Sequence, residues 1–347
     1  MLEPPGSSRI FRYLTFAKFL SMLELRALWM CRGYSGNPAE VLSNRGRSLA
    51  VEQGYSQQAA GLLAPCWDPA QSGWHMRLGS VQVVIREQEG NMGILEELRL
   101  DGKVALVTGA SRGIGQAMAL AFAEAGADLA LVARSAGDLE RVAEGARKIG
   151  RRTSIVPLDV SHLDAIPRMV QSVTSALGRV DILVNAAGVT WRQPLVEATP
   201  ANWDHVVNTN LRSVYFVCQA VGRMMIAQRS GKIINLASMT SFRGFADISL
   251  YGVTKAGVVI LTKTLAVEWA PFNVQVNAIA PGWIDTAMTS TMAPERRRWV
   301  EAHVPQGHFG TPGDVTGLAI YLASRASDYV TGQVFPLDGG FTAGSPW

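Results

Sequence analysis

Tyr251 and Lys255 stand four residues apart in the stretch SLYGVTKAG, residues 249–257, and this spacing could support proton transfer. On a helix, residues i and i+4 share one face, so the two side chains would project into the same space. A free phenol has a pKa of about 10, and a neighbouring ammonium lowers that pKa because it stabilises the phenolate. The pair therefore predicts a group that acts as acid and base, although an ordinary helix-surface pair has the same spacing.

A glycine-rich turn is the second chemical signal. The segment TGASRGIG, residues 108–115, follows an apolar run and opens a helical pattern. Glycines let such a turn approach a ligand closely, and the free N–H groups at a helix N-terminus bind phosphate. The turn alone would indicate only a tight connection, but its place between a strand and a helix predicts a dinucleotide site.

The elements that must position these residues begin at Lys103. Short apolar runs alternate with amphipathic segments of helix length, such as residues 114–126, 138–150 and 253–270. The runs are residues 103–108, 128–133, 153–158, 180–185, 232–237, 274–279 and 333–338. Runs that are apolar on both faces are typical of strands between two helical layers. The pattern predicts an α/β fold, a single Rossmann-type doubly wound parallel sheet of about seven strands flanked by helices.

Residues 1–91 differ in texture, because they mix Pro, Gly, Ser and Gln without a sustained period. The helix-like stretch at residues 9–30 is interrupted by charged side chains and lacks the roughly 18 consecutive apolar residues of a membrane span. We predict that residues 1–91 are a disordered extension or a mis-assigned start, with Met92 as the natural first residue. One catalytic domain is expected over residues 92–347, with no membrane association.

Composition excludes several classes of partner. The net charge of +4 comes from 32 basic and 28 acidic residues without a long single-sign block, so no nucleic-acid partner is predicted. The three cysteines have no CxxC spacing, which favours a reducing, cytoplasmic setting. The five histidines show no ligand spacing, so no metal site is predicted.

Four motifs together resemble the short-chain dehydrogenase/reductase family. They are TGASRGIG, NAAG at residues 185–188, YGVTK at 251–255 and APG at 280–282, and the resemblance extends over residues 92–347. It implies an oxidoreductase that transfers a hydride between a nicotinamide cofactor and a secondary alcohol or ketone. A small-molecule substrate and a homotetramer are further expectations, with the helix that carries Tyr251 at one interface and residues 338–344 at another.

The resemblance implies a catalytic set of four residues. Ser238 lies thirteen residues before Tyr251, the family spacing of a serine that holds the substrate oxygen. Asn210 matches an asparagine that supports a proton relay through Lys255; Asn208 is the competing position, but Leu211 reproduces the family's NL pair. Lys255 would also hydrogen-bond the nicotinamide ribose. The alternative reading makes Ser238 a helix cap and Asn210 an amide that satisfies a helix kink.

The resemblance also assigns the cofactor contacts. They are Gly109, Ser111, Arg112, Gly113, Ile114, Gly115, Arg134, Asp159, Val160, Asn185, Ala187, Gly188, Tyr251, Lys255, Pro281, Gly282, Ile284 and Thr286. Asp159 and Val160 would contact adenine, and the Ile284 backbone with Thr286 would fix the carboxamide. The sequence departs from the family at Ala186, where a second asparagine is usual.

The end of the second strand predicts which nicotinamide cofactor is used. A carboxylate at this place would accept hydrogen bonds from a free ribose. The chain instead has Arg134 here and Arg112 in the glycine loop. Two guanidiniums without a carboxylate favour a 2′-phosphate, hence NADP(H) over NAD(H), unless Arg134 is only a solvated helix-cap residue.

Variable segments predict the substrate. The resemblance is to the sugar-acid and polyol branch, similar to gluconate 5-dehydrogenases and 2-deoxygluconate 3-dehydrogenases, and Arg192 could pair with a substrate carboxylate. The segment 308–310, His-Phe-Gly, departs from the Arg-Trp-Gly common in that branch.

Two alternatives stay open. A 3-oxoacyl thioester reductase would explain the three arginines of ERRRW, residues 295–299, as a patch for an acidic carrier, and a solvated helix face explains them equally well. A non-catalytic protein that binds NADP as a sensor is the other alternative, although such proteins typically lose the tyrosine or the lysine.

Overall fold

The computed structural model describes residues 66–68, 73–78, 81–86 and 93–344. Residues 93–344 contain a parallel sheet with the strand order β7-β6-β5-β4-β1-β2-β3. The strands are β1 (Val104–Thr108), β2 (Asp128–Ala133), β3 (Thr153–Pro157), β4 (Ile182–Asn185), β5 (Gly231–Leu236), β6 (Val274–Pro281) and β7 (Val334–Leu337). The order reverses beside β1, and in open α/β sheets ligands bind at such a switch point, outside the carboxyl ends of the strands.

Helices cover both faces of this sheet. They are α1 (Gly113–Glu124), α2 (Ala136–Lys148), α3 (Ile166–Leu177), α4 (Pro200–Val207), α5 (Ser213–Gln228), α6 (Ser249–Trp269), α7 (Pro294–His303) and α8 (Thr316–Ala323). A π-helical turn, Asn208–Arg212, joins α4 to α5 without a break. Several 3-10 turns complete the connections, and Met239–Ser241 after β5 is the one that concerns the site.

The core forms on the two faces of the sheet because neighbouring strand residues point to opposite sides. Val104 and Leu106 of β1 pack with the buried residues of α3, α5 and α6, whereas Ala105 and Val107 pack with those of α1, α2 and α8. Both sets are almost completely buried. Burial on two faces is why the strand sequences are continuously apolar rather than alternating.

The predicted fold class is confirmed, and all seven apolar runs form strands. Helices α1 and α2 begin one or two residues before their predicted starts, and α6 begins four residues before. Within the described residues one stretch, Ser249–Phe272, has the length and hydropathy of a membrane span, with a mean hydropathy of 1.4. It comprises α6 and the turn after it. Val258, Thr262 and Ala266 of α6 are buried against the sheet, as expected of a core helix.

The N-terminal part of the chain forms a separate unit, with the division after Met92. Three strands are described in it, Cys66–Asp68, Gly73–Leu78 and Val81–Arg86, and they pair in that order as an antiparallel sheet. Sequence analysis does not predict these strands. The other residues of the predicted extension, and the predicted start at Met92, lie outside the described residues.

Candidate active site

Helix α6 places Lys255 beside the end of β5. The side chain is 5% exposed, and its Nζ donates a hydrogen bond to the carbonyl oxygen of Leu236 at 2.6 Å. Burial penalises the ammonium and lowers the pKa of Lys255 to about 8. The group can therefore gain or lose a proton near neutral pH, which an exposed lysine cannot do.

Tyr251 lies one helical turn before Lys255, with its ring centroid 5.7 Å from the lysine Nζ. Burial raises the pKa of Tyr251, and a hydrogen bond with Ser238 acts in the opposite direction without reversing the shift. The expectation of a lowered pKa is therefore wrong, because desolvation of the phenolate outweighs the hydrogen bond. Tyr251 is thus a phenol at neutral pH, the form that donates a proton to a ketone.

Ser238 serves as a cap and faces the phenol at the same time. It has extended backbone angles before the Met239–Ser241 turn, and its Oγ accepts a hydrogen bond from the Thr240 N–H at 3.2 Å. The same side chain, 6% exposed, forms the hydrogen bond with Tyr251. The two readings of Ser238 are therefore compatible, because the cap fixes the hydroxyl next to Tyr251.

Asn210 lies in the π-helical turn between α4 and α5 and is completely buried. Its Oδ1 accepts from the Val189 N–H and its Nδ2 donates to the Val189 carbonyl, both at 2.8 Å. The same Nδ2 donates to Thr254 Oγ1 at 3.3 Å. Turns with π geometry are frequent at functional sites. The Asn210 amide thus bonds both the N–H and the carbonyl group of Val189, the first residue after the NAAG motif.

Gly188 shows how close Asn210 and Lys255 are. A Cβ built on this glycine would lie 3.4 Å from Asn210 Oδ1 and 3.8 Å from Lys255 Nζ. Asn210 Oδ1 and Lys255 Nζ therefore both lie close to the Cα of Gly188. The structure brings together Asn210, Ser238, Tyr251 and Lys255, the predicted catalytic set, at the carboxyl ends of β4 and β5.

The glycine loop forms a cradle that side chains would fill. Gly109 has a φ of +69°, and a Cβ there would lie 2.7 Å from the Ala186 carbonyl carbon. A Cβ on Gly115 would lie 2.3 Å from the Gly109 oxygen. The loop, which includes Ser111 and Ile114, leads into α1, where Arg112 occupies the N-cap position without a side-chain cap. The uncapped first turn and the tight glycines fit the pyrophosphate of a dinucleotide.

The predicted adenosine end gathers at the carboxyl ends of β2 and β3. Arg134 and Arg112 are both exposed, and Arg134 Nη1 lies 4.0 Å from Asp159 Oδ2. Burial acts to raise the pKa of Asp159, but hydrogen bonds from Ser161 and the charge of Arg134 outweigh it and lower that pKa. Val160 is buried next to this carboxylate. Arg134 is thus exposed at this edge, where it pairs with Asp159, and Arg112 is exposed in the glycine loop.

The predicted carboxamide end follows β6. Gly282 packs against Asp338, because a Cβ on the glycine would lie 2.6 Å from the Asp338 Cβ, and the preceding Pro281 ends the strand. The Ile284 carbonyl accepts from Thr289 Oγ1 at 2.7 Å. Thr286 lies next to the glycine loop, since its Cγ2 would be 3.5 Å from a Cβ on Gly113.

Asn185 and Ala187 of NAAG have different surroundings. The Asn185 amide is buried and donates to Asn235 Oδ1 at 2.9 Å and to Cys218 Sγ at 3.2 Å, so it bonds within the core. The Ala187 N–H points to Thr108 Oγ1 at 3.4 Å, beside the glycine loop. The side chain of Asn185 therefore bonds within the core, and the predicted contact of this residue with the cofactor stays a prediction.

We refer to the loop that leads from Val189 to Arg192 as the mouth of the site, because Asn210 holds its first residue. Arg192 is exposed; partial burial lowers its pKa, the charge of Arg296 acts in the same direction, and Asp247 opposes them. Arg297 of α7 binds both oxygens of Asp285, at 2.7 and 2.9 Å. The second arginine of α7 that finds an acid is Arg298, at 3.3 Å from Glu295.

Sequence reasoning misses the side chains that connect these groups. Thr254, Asn235 and Thr262 are completely buried. Thr254 accepts a hydrogen bond from Asn210, and Thr262 accepts one from Asn235. Thr254 lies within YGVTK, and its place one residue before Lys255 on a buried helix face is the signal that could have found it. Among residues 93–344 and the three described N-terminal strands, no group of His, Cys, Asp and Glu side chains could hold a metal ion.

With this geometry in view, comparisons with known proteins identify the family. A family model described as enoyl-(acyl carrier protein) reductase matches residues 109–342. The chain belongs to the short-chain dehydrogenase/reductase family and has the fold and site of a nicotinamide-dependent oxidoreductase.

Relatives within the family have different substrates. The 2-dehydro-3-deoxy-D-gluconate 5-dehydrogenase of Dickeya dadantii is 42% identical over 253 residues, 72% of this chain and 99% of the relative. The 3-oxoacyl-[acyl-carrier-protein] reductase of Thermotoga maritima is 41% identical, over 70% of this chain and 99% of the relative. A gluconate 5-dehydrogenase structure from Burkholderia cenocepacia, in complex with NADP and tartrate, is 36% identical with a TM-score of 0.70, covering 72% of this chain and 99% of that one.

Proposed function

We propose that this enzyme interconverts a secondary alcohol and a ketone on a sugar acid, with NADP(H) as the hydride carrier. The observation that carries the proposal is the joint placement of Tyr251, Ser238 and Lys255 at one end of the sheet, with Arg192 at the mouth. The relatives named as gluconate and deoxygluconate dehydrogenases support the substrate class.

Each residue of the set has a task in proton transfer. When bound, the nicotinamide supplies or takes the hydride. Tyr251 donates its phenolic proton to the carbonyl oxygen in reduction and removes a proton from the alcohol in oxidation. Ser238 holds the substrate oxygen next to the phenol, and Lys255, with a pKa of about 8, returns the proton toward solvent. Asn210 fixes the loop that borders this path.

NADP(H) is proposed over NAD(H) because Arg134, directly after β2, and Arg112, in the glycine loop, are both exposed and the second strand ends without a carboxylate of its own. The Burkholderia structure with NADP supports this choice. Arg134→Gln should raise KM for NADP about 10- to 100-fold, the loss of a charge-assisted contact, and leave KM for NAD unchanged. Arg141→Gln is the control, because that exposed arginine already pairs with Asp138 on α2. Equal KM values for both cofactors in the wild type would contradict the proposal.

A carboxylate on the substrate is proposed to bind Arg192. The Burkholderia complex with tartrate, itself a carboxylate, supports this class of ligand. Arg192→Gln should raise KM for gluconate or deoxygluconate about tenfold, with little change for an uncharged polyol. Arg298→Gln is the matched control, since Arg298 pairs with Glu295. An equal effect of Arg192→Gln on the acid and on the polyol would reject the carboxylate contact.

The second candidate function is reduction of a 3-oxoacyl thioester. The Thermotoga relative and the arginines of α7 favour it. Arg297 binds Asp285 and Arg298 binds Glu295, which leaves Arg296 for a carrier. A panel of NADP-linked oxidations of sugar acids and polyols is compared with NADPH consumption on an acetoacetyl thioester. Activity on the thioester alone would reject the sugar-acid proposal. A Tyr251→Phe enzyme as active as wild type would support the sensor alternative.

Assembly as a homotetramer is proposed on the surface of α6. Val253, Ile260 and Val267 recur every seven residues on this helix and are 53%, 62% and 79% exposed. Such a stripe is apolar enough to pack against a second copy. Light scattering should give four times the mass of one chain, and Ile260→Lys should reduce it; a monomeric wild type would contradict the proposal.

The domain boundary and the cellular location are proposals of the same kind. Residues 92–347 are proposed to carry the whole activity, in the cytoplasm. A protein that starts at Met92 should match the full chain in kcat, and cell fractionation should place the enzyme with soluble proteins. Loss of activity on removal of residues 1–91 would assign the N-terminal unit a role in catalysis or folding.

A further inference from the structure

Helix α6 carries two buried threonines that make the same kind of hydrogen bonds. Thr254 Oγ1 donates to the Tyr251 carbonyl at 2.8 Å and accepts from Asn210 Nδ2 at 3.3 Å. Two turns later, Thr262 Oγ1 donates to the Val258 carbonyl at 2.8 Å and accepts from Asn235 Nδ2 at 3.0 Å. Both threonines are completely buried. The two pairs are chemically alike, so what they connect distinguishes them.

The Thr262 pair connects elements of the core. Asn235 Oδ1 accepts from the Asn185 amide, so this chain of bonds runs from α6 through β5 to β4. It ends at the buried thiol of Cys218, where burial raises the pKa to about 12. None of these side-chain hydrogen bonds involves Tyr251, Ser238, Lys255 or the loop from Val189 to Arg192.

The Thr254 pair connects the mouth to the acid. On one side Asn210 holds both backbone atoms of Val189, at the start of the loop that leads to Arg192. On the other side the Thr254 hydroxyl holds the backbone carbonyl of Tyr251 itself. A single hydroxyl is therefore the direct link between the turn that carries the phenol and the amide that fixes the loop.

We propose that Thr254 is a positioning residue: its hydroxyl fixes Asn210 and the first turn of α6 relative to each other and so sets where the Tyr251 phenol meets the substrate oxygen. The proposal rests on Tyr251 being the proton donor of the proposed function. A hydroxyl is required because it donates to one partner and accepts from the other. Without it, a buried Asn210 N–H loses a partner, and the amide shifts to find another.

The test compares three variants, two of which keep the size of threonine. Thr254→Val removes the hydroxyl and keeps the shape, Thr254→Ser keeps the hydroxyl, and Thr262→Val removes the equivalent hydroxyl from the core pair. Misplacement of a reacting group by about 1 Å lowers rates on the order of 100-fold. Thr254→Val should therefore lower kcat about 10- to 100-fold with KM changed little, while Thr254→Ser stays near wild type. Thr262→Val should lower Tm by a similar amount to Thr254→Val and keep kcat.

The pH dependence of kcat/KM for oxidation gives an independent readout. Its rise should move along the pH axis in Thr254→Val and stay in place in Thr262→Val, because only the first changes the surroundings of the phenol. Wild-type kcat in Thr254→Val, equal loss of kcat in Thr262→Val, or a Thr254→Ser enzyme as slow as Thr254→Val would each overturn the proposal. If Thr254→Val does not fold, Thr254→Ala and Thr262→Ala replace the valine pair under the same criteria.

Rates are measured on whichever compound of the substrate panel the wild type turns over fastest. Failure on every sugar acid would then reject the proposed substrate class, while the ratios among the threonine variants still decide the role of Thr254.

Discussion

Two buried lysines lie at opposite ends of strand β5, and they differ in whether an acid neutralises them. Lys232, at the start of the strand, is 9% exposed and donates to Asp328 at 2.7 Å and to Ser327 Oγ at 3.3 Å. Lys255 lies at the other end, 5% exposed, and donates to the uncharged carbonyl of Leu236 at 2.6 Å. Burial is thus nearly equal, and the partner is what distinguishes them.

The difference has an electrostatic consequence. Burial lowers the pKa of Lys232, and the hydrogen bond and charge of Asp328 oppose only part of this shift, so that the pKa stays below its ordinary value. At Lys255 burial acts without a compensating acid and brings the pKa to about 8. A buried charge is usually paired because desolvation is unfavourable. Asp328 partly compensates the charge of Lys232, which is remote from the site, whereas no acid compensates Lys255 beside Tyr251, where a proton has to move.

Activity should separate the two lysines most strongly. Lys255→Met should lower kcat/KM on the order of 1,000-fold, because it removes the ammonium group that passes the proton between Tyr251 and solvent. Lys232→Met should stay close to wild type. Steady-state kinetics with the best substrate measures both. Comparable losses in the two variants would remove the distinction between a structural and a catalytic lysine.

The pH profiles should sharpen the comparison further. Burial raises the pKa of Tyr251, so the phenolate needed for oxidation is scarce at neutral pH. We expect kcat/KM for oxidation to rise with pH through the neutral range, up to about tenfold per pH unit, and that for reduction to stay level there. Lys232→Met should leave both profiles unchanged. An oxidation profile that is flat from pH 6 to 9 would contradict a protonated resting phenol.

Stability should change in the opposite sense to activity. Because the pKa of Lys255 in the fold, about 8, lies below the ordinary 10.5, its charge destabilises the fold at every pH below about 8. The shift corresponds to about 3 kcal/mol, and loss of the hydrogen bond to Leu236 offsets about 1 kcal/mol of it. Lys255→Met should therefore raise the free energy of unfolding by about 2 kcal/mol at pH 7.

The pH dependence of this difference provides the check. The penalty is complete below about pH 8 and is relieved as the pH rises toward 10.5, so the wild type should approach Lys255→Met over that window. Urea unfolding at pH 7 and pH 10 measures the two differences. Lys232→Met should show a smaller gain at pH 7, and a gain as large as that of Lys255→Met would mean that Asp328 does not compensate Lys232.

The smallest effect is expected from the acid itself. Asp328 is 59% exposed, so the ion pair with Lys232 is partly screened by solvent. Asp328→Asn should lower the free energy of unfolding by about 0.5 to 1 kcal/mol and leave kcat unchanged. Thermal unfolding and kinetics measure the two quantities, and a loss of activity would show that the ends of β5 are coupled.

The sequence predicts those features that depend on local pattern. Continuous apolar runs predict the seven strands because each strand is buried on both faces. The spacing from Ser238 to Tyr251 and on to Lys255 predicts that the three meet, since it spans the end of β5 and the first turns of α6. The short strands between residues 66 and 86 are not predicted, because they do not alternate with helical segments as the seven parallel strands do.

Features that depend on tertiary packing are not predictable in this way. The direction of the Tyr251 pKa shift follows from how deeply the ring is buried, which no spacing records. The bond between Asn210 and Thr254 joins residues 44 positions apart. The role of Asn185 as a core amide is hidden within a motif that resembles a cofactor contact.

The π-helical turn at Asn208–Arg212 limits which insertions and deletions this segment of the chain can tolerate. From Val206 to Val214, a regular helix with 3.6 residues per turn would drift by about 80°. The wider turn keeps Val206, Asn210 and Val214, all buried, on one side of the same helix. One extra residue therefore lets α4 and α5 share a single face with a polar amide in the middle. Deletion of one residue here would restore a smooth helix and rotate Asn210 out of the site, so this segment should tolerate substitution far better than a change of length.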